Sequence, residues 1–100
     1  MKLREKIVAL DENIREEAKK LYIAYKTSTN FADVILYKGE IRITLNVKSG
    51  QLNDPHNIAT DFTKPKKGHW GNGDYEVKLV DDKEFDSVFE LVKQSYDLNK

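Results

Sequence analysis

Leu3, Ile7, Leu10 and Ile14 recur at steps of four, three and four, the spacing that lines one face of a helix. The stripe predicts a helix over about residues 2–10. Ala18 and Leu21 extend the same spacing, whereas Asp11, Glu12 and Asn13 cluster like a stop, so residues 11–19 read either as more helix or as extended chain. Tyr22-Ile23-Ala24-Tyr25 is aromatic and β-branched and favours a strand. Phe31 to Tyr37 and Ile41 to Val47 then read as two strands joined at Lys38-Gly39. A two-residue turn sets Leu36 opposite Ile41, Val34 opposite Ile43 and Ala32 opposite Leu45, all apolar and all on one face. Phe31, Asp33, Ile35 and Tyr37 share the other face with Asn46, Thr44, Arg42 and Glu40, which predicts a hairpin buried on one side only.

Asp54 before Pro55 suits the start of a short helix ending near Asp61, with the carboxylate capping free N–H groups. Pro65, Gly68, Gly71 and Gly73 keep residues 62–74 in loop, and Tyr75, Val77 and Leu79 alternate with Glu76 and Lys78 as a further strand. Asp81 or Asp82 caps a closing helix whose apolar stripe is Phe85, Val88, Phe89, Val92 and Tyr96. The linkers between strands are too short for parallel crossovers. The pattern therefore predicts an α+β two-layer sandwich: a mainly antiparallel sheet of about four strands, covered by N- and C-terminal helices. One hundred residues without repeats or Pro/Ser-rich linkers fit one domain, 1–100.

Composition narrows the class. Aromatic residues at 10% and apolar residues at 39% argue against disorder, although 34% of positions are charged. No run approaches the roughly 20 apolar residues of a membrane span, and Lys2, Arg4, Glu5 and Lys6 interrupt any leader-like stretch. The absence of cysteine excludes disulfides and thiolate chemistry and fits a reducing cytoplasm. Net charge is zero, but unevenly laid out: Lys64, Lys66 and Lys67 crowd one loop, while Asp81, Asp82, Glu84, Asp86, Glu90 and Asp97 dominate the C-terminal stretch.

The segment Lys64-Pro65-Lys66-Lys67-Gly68-His69-Trp70-Gly71-Asn72-Gly73-Asp74 concentrates the candidate chemistry. A Trp among lysines offers a stacking platform with phosphate neutralisation beside it, so Lys64, Lys66, Lys67 and Trp70 are candidate nucleic-acid contacts. The plainer role for Trp70 is to plug one end of the sheet. His69, Asn72 and Asp74 form a possible ligand loop together with Tyr22. Tyr22 looks outward with Ala24 if Ile23 and Tyr25 face the core, and Lys26 stands at that strand's end as a further nucleic-acid candidate. Asp33, Asp54, Asp61 and Asp74 are the carboxylates from which a cluster would have to be assembled. His56 and His69 match no familiar metal spacing, and Gly71-Asn72-Gly73 lacks the Lys-Ser/Thr of a phosphate loop. No catalytic residue, metal or cofactor is assigned.

Tyr22-Ile23-Ala24-Tyr25-Lys26, Asn30-Phe31-Ala32-Asp33-Val34, the block from Gly68 to Val77, and Gln94-Ser95-Tyr96 together resemble an uncharacterised prokaryotic domain whose members are often labelled "predicted transport protein". That domain commonly sits C-terminally in longer proteins, some with restriction-endonuclease-like portions. The order of elements is also similar, in layout, to the MmcQ/YjbR-like domains, described as DNA-binding folds. The first resemblance implies no activity, and because the family often carries proline where this chain reads Glu17-Ala18, it implies extended chain there. The reading that follows is a non-catalytic recognition module, for nucleic acid, serving a larger assembly or a fused enzyme domain. The alternatives are a protein-interaction or oligomerisation module, docking through Phe31, Ile35 and Tyr37 or a sheet edge, and a small-molecule binder or enzyme built on His69, Asp74 and the tyrosines.

Overall fold

The computed structural model describes residues 2–61 and 74–100. The first helix, α1 (Lys2–Val8), buries Leu3 and Ile7 one turn apart. It stops where the polar cluster begins: Asp11 turns the chain, accepting from the Asn13 N–H through its carboxylate (2.9 Å) and from the Ile14 N–H through its carbonyl (3.1 Å). Residues 15–18 are then extended, as β1 (Arg15–Ala18). The strands β2 (Ile23–Lys26), β3 (Asn30–Tyr37) and β4 (Glu40–Leu45) follow as successive antiparallel neighbours. β5 (Ala59–Asp61) and β6 (Tyr75–Leu79) complete a six-stranded sheet in the order β1-β2-β3-β4-β6-β5. A 3₁₀ turn (Asp82–Glu84), capped by Asp81 accepting from the Lys83 N–H, leads into α2 (Phe85–Asn99).

The α+β architecture and the antiparallel sheet match the sequence, and the hairpin register is as predicted: Leu36 faces Ile41, Val34 faces Ile43 and Ala32 faces Leu45. The strand count is six rather than four. Both added strands are short edges, and β1 is too charged to show alternation. The short helix expected after Asp54 is a turn: the Asp54 carboxylate accepts from the Ile58 and Ala59 N–H groups (3.1 and 2.8 Å), and Asn57 takes a positive φ of 53°. The chain is thereby turned into β5 before a helical turn can repeat.

Both helices pack on the face carrying Tyr25, Ala32, Val34, Ile43, Leu45 and Val77. From α2 this core receives Phe85, Val88, Leu91, Val92 and Tyr96, with Phe89 only partly buried at its margin. Leu36, predicted in this layer, is 57% exposed: in its row the helix residues Leu3 and Phe85 lie beside Ile41 and Leu79 instead.

The opposite face of the hairpin also departs from expectation. Phe31 and Ile35 are buried, leaving only Tyr37 exposed among the three apolar residues assigned to a docking face. The register between β2 and β3 shifts at Tyr25/Lys26, and Phe31 meets Tyr96 edge-on, ring centroids 5.5 Å apart. Ile35 lies beside Arg42, whose guanidinium turns over the Tyr37 ring at 4.6 Å. Along the middle of this face runs one row, Glu17-Ala24-Asp33-Thr44-Glu76-Thr60, in which Ala24, Asp33 and Thr44 are buried.

Candidate functional site

Lys64, Lys66, Lys67, His69, Trp70 and Asn72 lie outside the described residues. Of the predicted site residues, the structure places Tyr22, Lys26 and Asp74. Asp74 is occupied by the backbone: its carboxylate accepts from the Ser49 N–H (2.9 Å) and its own N–H donates to the Val47 carbonyl (3.1 Å). Asp61 reaches the same residue, accepting from the Ser49 hydroxyl at 2.6 Å, and the Tyr75 hydroxyl accepts from the Gly50 N–H at 2.8 Å. Both carboxylates thus tie strand ends to the turn at residues 48–50. Asp33 is held by the Asn30 amide at 2.6 Å, so the four aspartates do not gather into one cluster. Among the described residues no group of three or more His, Asp or Glu side chains is arranged to hold a metal ion.

Tyr22 and Lys26 do come together. Positions 22, 24 and 26 alternate onto one side of β2 and its N-terminal flank. The antiparallel partner β1 sets Arg15 beside Lys26 and Glu17 beside Ala24 on that same side. A cleft of about 350 Å³ results, walled by Arg15, Glu17, Lys19, Tyr22 and Lys26, with Ala24 as its floor and Ser28, Thr29 and Asn30 closing one end. The small Ala24 side chain leaves the floor open.

The electrostatics of the cleft centre on one carboxylate. Glu17 receives Lys26 at 2.7 Å and Lys19 at 3.1 Å, and these two partners hold its carboxyl down at about 2. The same contact raises Lys19 above the usual lysine range. Arg15 adds a third cation and anchors itself by donating to the Thr27 carbonyl at 3.1 Å. Three positive side chains therefore line the cleft, two of them on one carboxylate, beside the half-buried ring of Tyr22. At the closed end, Asn30 donates its amide to Asp33, while its Oδ1 is buried without a hydrogen-bond partner among the described residues. A Glu17 so firmly ionised is a poor general acid.

Sequence reasoning reached Tyr22 and Lys26 and missed Arg15, Glu17 and Lys19. Their signal was the spacing 15, 17, 19, which places all three on one face only if this stretch is a strand.

Three comparisons with known proteins bear on the chain. The family described as Domain of unknown function (DUF5655) matches residues 1–99. A Haemophilus influenzae protein described as "Uncharacterized protein" is 37% identical over 89 residues, which are 89% of this chain and 29% of that protein. The chain thus spans less than a third of that relative's length. No solved structure matches it.

Proposed function

The chain belongs to the DUF5655 family, a domain of unknown function, and within it we propose that this member is a non-catalytic recognition module taking single-stranded nucleic acid across the β1–β2 cleft. The carrying observation is the gathering of Arg15, Lys19 and Lys26 around one carboxylate and the Tyr22 ring. A phosphate entering the cleft replaces Glu17 on the lysines, and Tyr22 brings an aromatic ring for a base to stack on. Zero net charge and a pI near 6.7 set the expected affinity: weak, salt-sensitive and tolerant of sequence. The longer Haemophilus influenzae relative supports a role as one part of a larger polypeptide. The resemblance to domains that accompany restriction-endonuclease-like portions points to the same nucleic-acid context.

The test is an anisotropy titration of labelled single- and double-stranded oligonucleotides at low salt. Tyr22→Ala is expected to weaken single-strand binding by about 1–3 kcal/mol. Arg15→Ala and Lys26→Ala should each lower affinity and flatten the salt dependence. Glu17→Gln, which removes the competing anion, should tighten binding, an effect no purely structural role for the ion pairs produces. Absence of binding at high micromolar protein, or weaker binding by Glu17→Gln in a folded protein, overturns the proposal.

A further inference from the structure

Beyond the cleft, the helix-side face of the sheet carries an apolar row that the helices leave partly open. Leu36, Ile41 and Leu79 are in register across β3, β4 and β6. Leu21 continues the row beyond β2: Ile23 pairs with Val34, and Leu21 and Leu36 line one recess of about 240 Å³ with Tyr22, Ile23 and Val34. Leu21 is 70% exposed and Val80, just past Leu79, is 62% exposed. Leu79 is buried and Ile41 half-buried in the core, but Leu21, Leu36 and Val80 leave an apolar line open that the monomer does not use.

The charges at the two ends of the row are opposite. Lys19 and Lys20 line the recess at the Leu21 end. At the Leu79 end, Glu40, Asp81 and Asp82 line a groove of about 350 Å³ with a single lysine, Lys2, whose Nζ lies over the Phe85 ring at 4.4 Å. Lys20 and Asp82 have no ion-pair partner among the described residues.

We propose that this row is a self-association surface whose occupant is a second copy of the chain, related by a two-fold axis near Leu36 and Ile41. A row basic at one end and acidic at the other is complementary to itself when turned through half a revolution. Lys20 of each protomer then faces Asp82 of its partner, and Leu21 of each covers the Leu79–Val80 end of the other. Lys19 and Tyr22 line both the recess and the nucleic-acid cleft, whereas Lys20 and Asp82 lie outside the cleft, so variants at these two read self-association apart from that function.

Sedimentation equilibrium across a concentration series at low salt tests it. The mass is expected to rise from 11.6 kDa to twice that value and no further. Leu36→Lys, at an exposed position, should hold the protein monomeric with an unchanged thermal melt. Lys20→Glu and Asp82→Lys should each weaken the dimer about tenfold, since both rim contacts become repulsive at once. Mixing the two variants restores both contacts and should recover a heterodimer of wild-type strength. A monomer at every concentration, growth beyond the dimer, or single reversals that associate like the wild type would each overturn the inference.

Discussion

Tyr25 is fully buried, and its hydroxyl has one outlet: it donates to Glu16 at 2.7 Å. Burial, and then this bond, push the Tyr25 hydroxyl well above its ordinary range. Arg4 completes the arrangement by reaching both Glu16 oxygens through Nε, at 3.0 and 2.7 Å, which ties α1 to β1 across the edge of the core. Arg4 first and Tyr25 second hold the Glu16 carboxyl below the usual range. Glu17 is depressed by Lys26 and Lys19, and Asp11 by the Tyr96 hydroxyl. Each of these carboxylates binds its proton less readily in the folded chain than in the unfolded one. Their stabilisation is therefore complete above the unfolded value and is lost as pH falls through the folded one. For Glu17 that window runs from 4.5 down to about 2. Thermal melts should be flat near neutrality and fall through this window. Glu16→Gln should start lower at neutral pH and show a shallower acid limb, and an identical limb would remove Glu16 from the account.

At the scale of elements, what the sequence made legible is what local periodicity encodes. The α1 stripe, the β3–β4 register, β6 and α2 all rest on spacings within a few residues. β1 and β5 were not legible as strands, because an edge of three or four mostly polar residues gains its conformation from the neighbour it pairs with rather than from alternation. The burial of Phe31 was hidden for a similar reason, since it depends on a register shift between β2 and β3. In α2 the stripe was correct, but its depth was not: Leu91 and Ser95 are buried and Phe89 is not fully so. Ser95 donates to the Phe31 carbonyl at 2.5 Å, while Phe89 stacks on Phe85 at 6.3 Å with Lys6 Nζ at 5.2 Å from its ring. Leu91→Ala should accordingly cost about 2–5 kcal/mol as a core truncation. Phe89→Ala, despite the larger side chain, should cost less, about 1–2 kcal/mol for a ring only partly removed from water. Urea denaturation of the two variants checks the order, and a larger loss at Phe89 would mean that α2 is turned about its axis from the orientation described.

For the molecule as a whole, the candidate site was half legible. Tyr22 and Lys26 announce themselves as an aromatic and a cation on one strand face, while Arg15, Glu17 and Lys19 join them only once residues 15–18 are extended. Lys64, Lys66 and Lys67 belong to the same electrostatic question, since the described residues that flank their segment end on the same side of the sheet as Lys26. The register shows it: Tyr25, Ala32, Leu45, Tyr75 and Asp61 form one row, and Lys26 lies one residue beyond it. Salt dependence can count how many of these cations meet phosphate. Each neutralised phosphate on a single strand contributes about −0.7 to the slope of log K against log salt. The three cleft cations alone should give about −2, and the cleft with Lys64, Lys66 and Lys67 about −4. The steeper value is the expectation of the sequence reading, in which Lys64, Lys66 and Lys67 neutralise phosphates as well. Replacing Arg15, Lys19 and Lys26 by Ala should halve the slope, replacing Lys64, Lys66 and Lys67 instead should halve it equally, and replacing all six should abolish it. A slope near −2 that only the first triple variant alters would confine recognition to the cleft. A slope that neither triple variant changes would show that none of these six cations touches the nucleic acid.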